Sequence, residues 1–126
     1  MANICVLLSG SGVFDGSEIH EAVASLIAFS KAGATVQCVA PNKMQHHVIN
    51  HYSGEEMDER RNVLVESARI ARGNIIACTD VQVNDFDALF IPGGFGAAKN
   101  LSSFAFEGAK ASIDPEVGKL IRDFHE

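Results

Sequence analysis

Clusters of basic residues, closely paired cysteines and long apolar runs are all missing from this 126-residue sequence, and each absence removes a class of function. Ten Lys and Arg against sixteen Asp and Glu leave a net charge of −6, so there is no electrostatic footprint for nucleic acid. The densest basic positions, Arg60, Arg61, Arg69 and Arg72, are interleaved with Asp58, Glu59 and Glu66 and read as a solvated helix face. No positive n-region precedes Ile4 to Leu8, and that run is too short for a signal sequence or a membrane span. The three cysteines, Cys5, Cys38 and Cys78, are odd in number and form no C-x-x-C pair. Two lie in apolar runs, so buried thiols in a reducing compartment, and a cytoplasmic address, are expected. Repeats and low-complexity stretches are absent, and the length suits one domain.

What is present is an alternation of short apolar runs with helical patterns. Asn3 to Leu8 reads as a strand buried on both faces. Ile19, Ala22, Val23, Leu26 and Ile27 recur at helical spacing, predicting a helix over Ser17 to Ala32 with Gly33 as its stop. Thr35 to Val39 is a second strand, giving a βαβ unit with a right-handed crossover. Val48 to Tyr52 suits a short strand, Ser53 to Glu55 a turn, Met57 to Arg72 a helix ended by Gly73, and Ile75 to Cys78 another short strand. Asp87 to Ile91 is a third buried strand running into Pro92-Gly93-Gly94-Phe95-Gly96. Asp114 is an N-cap with Pro115 at the first helical position, and Val117, Leu120, Ile121 and Phe124 form the stripe of a last helix. That helix runs to Glu126 with no C-cap glycine and no following strand. A three-strand core offers little cover for it, so the chain is expected to be interrupted and its last helix uncovered.

Four local features carry possible chemistry. Ser9 to Gly16 joins a strand to a helix and holds Gly10 and Gly12, but Asp15 occupies the third position of a G-x-G-x-x-G fingerprint. No carboxylate ends the second strand, and the Gly-Lys-Ser/Thr of a phosphate loop is absent, so nucleotide binding is not expected and no cofactor is assigned. Glu18 and Glu21 fall where a helix macrodipole favours negative charge, and periodicity puts Glu21 on a solvated side. His46, His47, His51 and Glu55 invite a metal reading, yet the composition around Asn50 to Gly54 spoils helical i, i+4 geometry, and no metal is assigned. Glycines 93, 94 and 96 are either a bare turn or a ligand-binding edge at the carboxyl end of a parallel strand.

Taken in order, Asp15-Gly16-Ser17-Glu18-Ile19-His20-Glu21-Ala22, Ala40-Pro41, Val48-Ile49-Asn50-His51, Arg61-Asn62-Val63-Leu64 and Ile91 to Leu101 resemble the isoprenoid-biosynthesis (enhancing lycopene biosynthesis) proteins of bacteria. These form a branch of the PfpI, class I glutamine-amidotransferase-like superfamily with glyoxalase-like lyase activity ascribed to it. The resemblance implies an α/β, flavodoxin-like three-layer sandwich with a mostly parallel sheet, incomplete here, and residues 1–126 as the amino-terminal portion of one domain. It implies a homodimer when complete, a small aldehyde or carbonyl substrate, and neither nucleic acid nor membrane as partner. It also implies a cysteine nucleophile on a strand-to-helix elbow, touched by a glutamate from the first helix and facing an oxyanion hole in a Gly-Gly turn. The matching residues are Glu21 as proton donor and Gly93 and Gly94 as oxyanion-hole backbone. The elbow itself would lie beyond residue 126, on a further stretch, a cleaved fragment or a second chain, and none of the three cysteines matches it. Without it the chain alone is expected to be inert and poorly folded; a non-catalytic binding or regulatory module of the same fold is the alternative.

Overall fold

A computed structural model describes residues 2–126. In chain order the elements are β1 (Asn3–Leu7), α1 (Ile19–Lys31), β2 (Thr35–Ala40), β3 (Val48–Ile49), β4 (Glu56–Met57), α2 (Val63–Ala71), β5 (Ile75–Ala77), β6 (Ala88–Phe90), α3 (Phe95–Lys99), α4 (Phe104–Glu107) and α5 (Pro115–His125). Four strands make one parallel sheet in the order β5-β2-β1-β6, and β3 and β4 form a separate antiparallel hairpin.

The unbroken apolar run of β1 is explained by burial on both sides, since successive side chains of a strand point to opposite faces. Cys5 and Leu7 join Val39, Cys78, Leu101, Val117 and Leu120 on one face, and Val6 and Leu8 join Ala22 and Cys38 on the other. Each fully buried Val or Leu contributes about 1.5–3 kcal/mol of transfer free energy. The second face is covered by α1 and α2 and the first by α5, so the architecture is the three-layer, flavodoxin-like α/β sandwich.

Several boundaries differ from the sequence reading. Only Ala22, Leu26 and Phe29 of α1 pack on the sheet, while Ile19, Val23 and Ile27 are 42%, 38% and 51% exposed. The apolar arc of α1 is wider than its contact with the sheet, so three of the five residues of the expected stripe face solvent. Gly33 ends α1 as expected, with Gly33 N donating to Ser30 O and Ala34 N to Phe29 O.

The helix expected from Met57 begins only at Val63, because Asn62 caps it by accepting from Val65 N at 3.0 Å and Met57 pairs with Val48. Sheet strands number four among the described residues rather than three, as β5 pairs with β2.

The expectation that the last helix lacks cover is overturned. Asp114 caps α5 as read, with Oδ1 accepting from Glu116 N and Val117 N. Val117 and Leu120 are buried, and Ile121 and Phe124 pack against the same core with Val81, Val83 and Phe86. Those three residues come from short 3₁₀ turns and their flanks between β5 and β6, which no periodicity announces. No helix among the described residues is long and apolar enough to cross a membrane.

Candidate active site

The strand order reverses at β1: β2 and β5 lie to one side of it and β6 to the other. In open α/β sheets the crevice at the carboxyl ends of the two strands flanking such a switch is the ligand-binding position. Here those ends are Ser9-Gly10 and Pro92-Gly93, so the Gly-rich loop and the Gly-Gly turn meet. They are stapled together by Glu18 N donating to Gly93 O (2.8 Å), Phe95 N to Val13 O (2.8 Å) and Gly96 N to Gly16 O (2.8 Å).

Gly94, with φ 119°, sits so close to the loop that a Cβ would strike Gly16 O and lie 2.5 Å from Glu18 N. A Cβ on Gly93 would collide with Glu21 Oε1 and come within 3.4 Å of Oε2. The structure thus brings together all three residues singled out from the sequence: the Glu21 carboxylate lies over Gly93, with Gly94 beside it. Glu21 is nonetheless an exposed residue, so periodicity described its solvation and missed its reach. Neither Gly93 N nor Gly94 N donates a hydrogen bond to any described residue.

Glu18 places Glu21. Its carboxylate caps α1, accepting from Glu21 N at 2.8 Å and pairing with His20 Nδ1 at 3.0 Å. The His20 bond, followed by the Glu21 N–H, holds the Glu18 carboxyl below the usual carboxylate range.

Beneath the two turns lies a buried polar network that the sequence reading did not foresee. Asn100, 2% exposed, donates through Nδ2 to Ser9 O and Asp15 O, both at 2.8 Å, and accepts from His46 N through Oδ1 at 2.9 Å. Ser17 Oγ accepts from Ser9 N at 2.9 Å, and Asp15 Oδ2 accepts from Ile49 N at 2.8 Å. An Asn four residues beyond Gly96 was the only local signal, and one sequence does not reveal that it is buried.

No family model matches the sequence. The chain is 49% identical, over 99% of its own length and 47% of the relative's, to human "Glutamine amidotransferase-like class 1 domain-containing protein 3, mitochondrial". It is 50% identical to the rat "ES1 protein homolog, mitochondrial", over 98% of this chain and 47% of the relative. Among solved structures, the isoprenoid biosynthesis protein with amidotransferase-like domain from Ehrlichia chaffeensis superposes with a TM-score of 0.92 and 44% identity, over 97% of this chain and 58% of that one. The chain is therefore similar, in sequence and in fold, to amidotransferase-like proteins. It spans about half the length of the curated relatives it matches.

The three thiols are core residues. Cys5, Cys38 and Cys78 are all free and buried. Burial, helped by Cys38, pushes Cys5 up to about 12; burial, helped by Cys5, does the same to Cys78; and burial raises Cys38. A thiol kept protonated in this way is a poor nucleophile.

His46 and His47 meet edge-on at 4.8 Å and both face Phe106, while His51 stacks on Phe14. His51 Nε2 accepts from Phe14 N at 3.2 Å while its Nδ1 meets Ile49 O at 3.0 Å, which assigns the proton to Nδ1. His46 stacks on Phe106 at 3.9 Å, and His47 Nδ1 lies 3.4 Å from Glu56. Burial, and then Lys99, holds His47 below the usual imidazole range. Among the described residues no three His, Cys, Asp or Glu gather closely enough to hold a metal ion.

Beside the turns, Phe14, Ile49, Phe95, Phe104 and Phe106 line an apolar groove of about 520 Å³ in which Glu21 takes no part.

Proposed function

We propose that this chain carries the proton-transfer and oxyanion half of a cysteine-dependent, glyoxalase-like site of the PfpI superfamily, acting on a small aldehyde or other carbonyl compound. The observation that carries the reading is the Glu21 carboxylate lying over Gly93 at the sheet's switch point, beside two N–H groups that donate to no described residue. In this reading the nucleophilic thiol comes from an elbow outside these 126 residues. A thiolate adds to one carbonyl carbon of glyoxal, and the Gly93 and Gly94 N–H groups stabilise the oxyanion that forms. Glu21, protonated at the start, gives its proton to that oxyanion; the carboxylate so formed carries the proton that leaves this carbon to its neighbour and takes back the hydroxyl proton as the thioester forms. The resulting thioester is hydrolysed by water, giving glycolic acid and returning the thiol. One glyoxal and one water make one hydroxyacid, with no outside oxidant. A proton must sit on Glu21 for it to lie beside a thiolate without repelling it.

A homodimer and a reducing compartment belong to the same proposal. Three buried free thiols suit the cytoplasm, and the names of the human and rat relatives point to mitochondria. The link to isoprenoid biosynthesis rests on the likeness to the Ehrlichia protein. A second reading, a non-catalytic binding module, is favoured by the aromatic groove beside the turns.

The deciding experiment measures glyoxal conversion by the longer protein carrying this sequence, with and without Glu21→Gln. General acid–base chemistry predicts a loss of about 10²–10⁴ in kcat. Wild-type turnover by the variant, or none by the unaltered protein, would sink the reading in favour of the binding module.

A further inference from the structure

The eight phenylalanines of the sequence fall into two groups in the fold. Phe29 and Phe90 meet edge-on between α1 and the sheet, and Phe86 and Phe124 pair beside α5. The other four, Phe14, Phe95, Phe104 and Phe106, are 38%, 52%, 61% and 49% exposed, and all of them line the same apolar groove of about 520 Å³. Exposed apolar residues scattered singly need no explanation, but four rings gathered in one concavity mark a binding surface. The volume falls within the range of about 300–1,000 Å³ usual for small-molecule sites.

The groove also carries charge of one sign. Lys99, in the last turn of α3, is held at the wall: its Nζ donates to Phe14 O at 2.7 Å and lies 5.4 Å from the centre of the Phe95 ring. An ammonium has three N–H donors, so two remain. Among the described residues no carboxylate pairs with Lys99, and none lines the groove. His47, the other ionisable side chain of the wall, is kept neutral at pH 7 by burial and by Lys99 itself. Aromatic walls thus surround one uncompensated positive charge. A single ammonium with two free N–H groups matches one carboxylate. A phosphate dianion is better served by several cations or an Arg fork, and the lining supplies neither.

We propose that this groove is a ligand site separate from Glu21 and Gly93, and that it takes a monocarboxylic acid with an aromatic body. The ring lies among Phe14, Phe95, Phe104 and Phe106, where edge-to-face and offset contacts are available, and the carboxylate sits on Lys99. The inference does not rest on the chemistry proposed at Glu21, and it names the ligand class that a bare aromatic groove leaves open.

The test is titration calorimetry at pH 7 on the longer protein carrying this sequence, with naphthoate and its uncharged twin naphthamide as probes. Naphthoate is expected to bind about tenfold or more tighter, the effect of a hydrogen bond to a charged group. Lys99→Met should bring naphthoate down to the naphthamide level, and Lys99→Arg should keep the preference. Phe104→Ala should weaken both probes alike; Phe104 is the most exposed of the four rings, so its loss leaves the fold intact. Hydrogen exchange reads the same site without a substitution: naphthoate should slow exchange over Phe95–Lys99 and leave β5 unchanged. Equal affinity for the two probes, a preference that survives Lys99→Met, unaltered binding by Phe104→Ala, or protection elsewhere overturns the proposal. So does naphthoate that fails to bind at all, the result expected if a segment of protein fills the groove instead. Glyoxal turnover plays no part in these readings. A protein that binds naphthoate and turns over no glyoxal refutes the chemistry at Glu21 and leaves the groove's ligand standing.

Discussion

Removing the Asn100 side chain tests whether the buried network beneath the site holds the two glycine turns together. Asn100 makes three hydrogen bonds, to Ser9 O, Asp15 O and His46 N, from a position only 2% exposed. At about 1 kcal/mol net for each bond, Asn100→Ala should cost about 3 kcal/mol. Unfolding entropy near 2.1 cal/mol/K per residue gives about 0.26 kcal/mol/K for a chain of this length, so Tm should fall by about 11 °C. Asn100→Asp is the sharper probe, because it keeps the volume and turns the donor that serves two carbonyls into a third acceptor. At neutral pH it should be at least as damaging as alanine, and acidification that protonates the new carboxyl should restore part of the loss. The assay is urea unfolding followed by circular dichroism, with hydrogen exchange over residues 9–16 as the local reporter. A loss below about 1 kcal/mol for alanine, or an aspartate variant as stable as wild type at neutral pH, would refute the reasoning.

Three further outcomes follow from the same structure. Asp114→Ala removes the cap of α5 and the partner of Lys43 Nζ at 3.0 Å, and should cost about 1–2 kcal/mol in urea unfolding. Cys5, Cys38 and Cys78 are free, buried and raised in pKa, so a thiol-reactive dye at pH 8 should label none in the native chain and all three after denaturation. For Cys5 and Cys78 the folded value of about 12 lies above the ordinary value of 9.0. Their contribution to stability is therefore complete below about pH 9 and lost as pH rises towards 12. The denaturation midpoint should fall across that window, and less steeply in a Cys5→Ala, Cys78→Ala variant.

How much was legible in the sequence depended on whether local signals acted alone. Strand β1 was readable because burial on both faces demands an unbroken apolar run, and the Asp114-Pro115 start of α5 because a cap is a local device. The stretch from Met57 to Asn62 was misread as helix because its composition permits one. What decides against it is the Asn62 cap and the pairing of Met57 with Val48, neither of which periodicity registers. The cover of α5 was missed for a related reason: Val81, Val83 and Phe86 reach the core from irregular backbone. At the site, the glycine turn after β6 stood out from its pattern as a possible ligand-binding edge, whereas the role given to Glu21 came through resemblance. Periodicity assigns each helical side chain one direction, whereas a glutamate in the first turn of α1 is long enough to lie over the neighbouring strand end.

The Gly-rich loop after β1 illustrates how one sequence feature can serve two architectures. A glycine loop opening a helix suits a phosphate when its glycines admit the anion and the helix leaves its first N–H groups free. Here neither condition holds. Gly16 is pressed against the second turn, with its carbonyl accepting from Gly96 N and its backbone in the path of any Cβ on Gly94 or Gly96. The first turn of α1 is already capped by the Glu18 carboxylate, which occupies Glu21 N and brings a negative charge to the place a phosphate would need. The glycines thus allow two loops to touch. That contact is what sets Glu21 over Gly93, so the features that remove nucleotide binding are those that build the candidate active site.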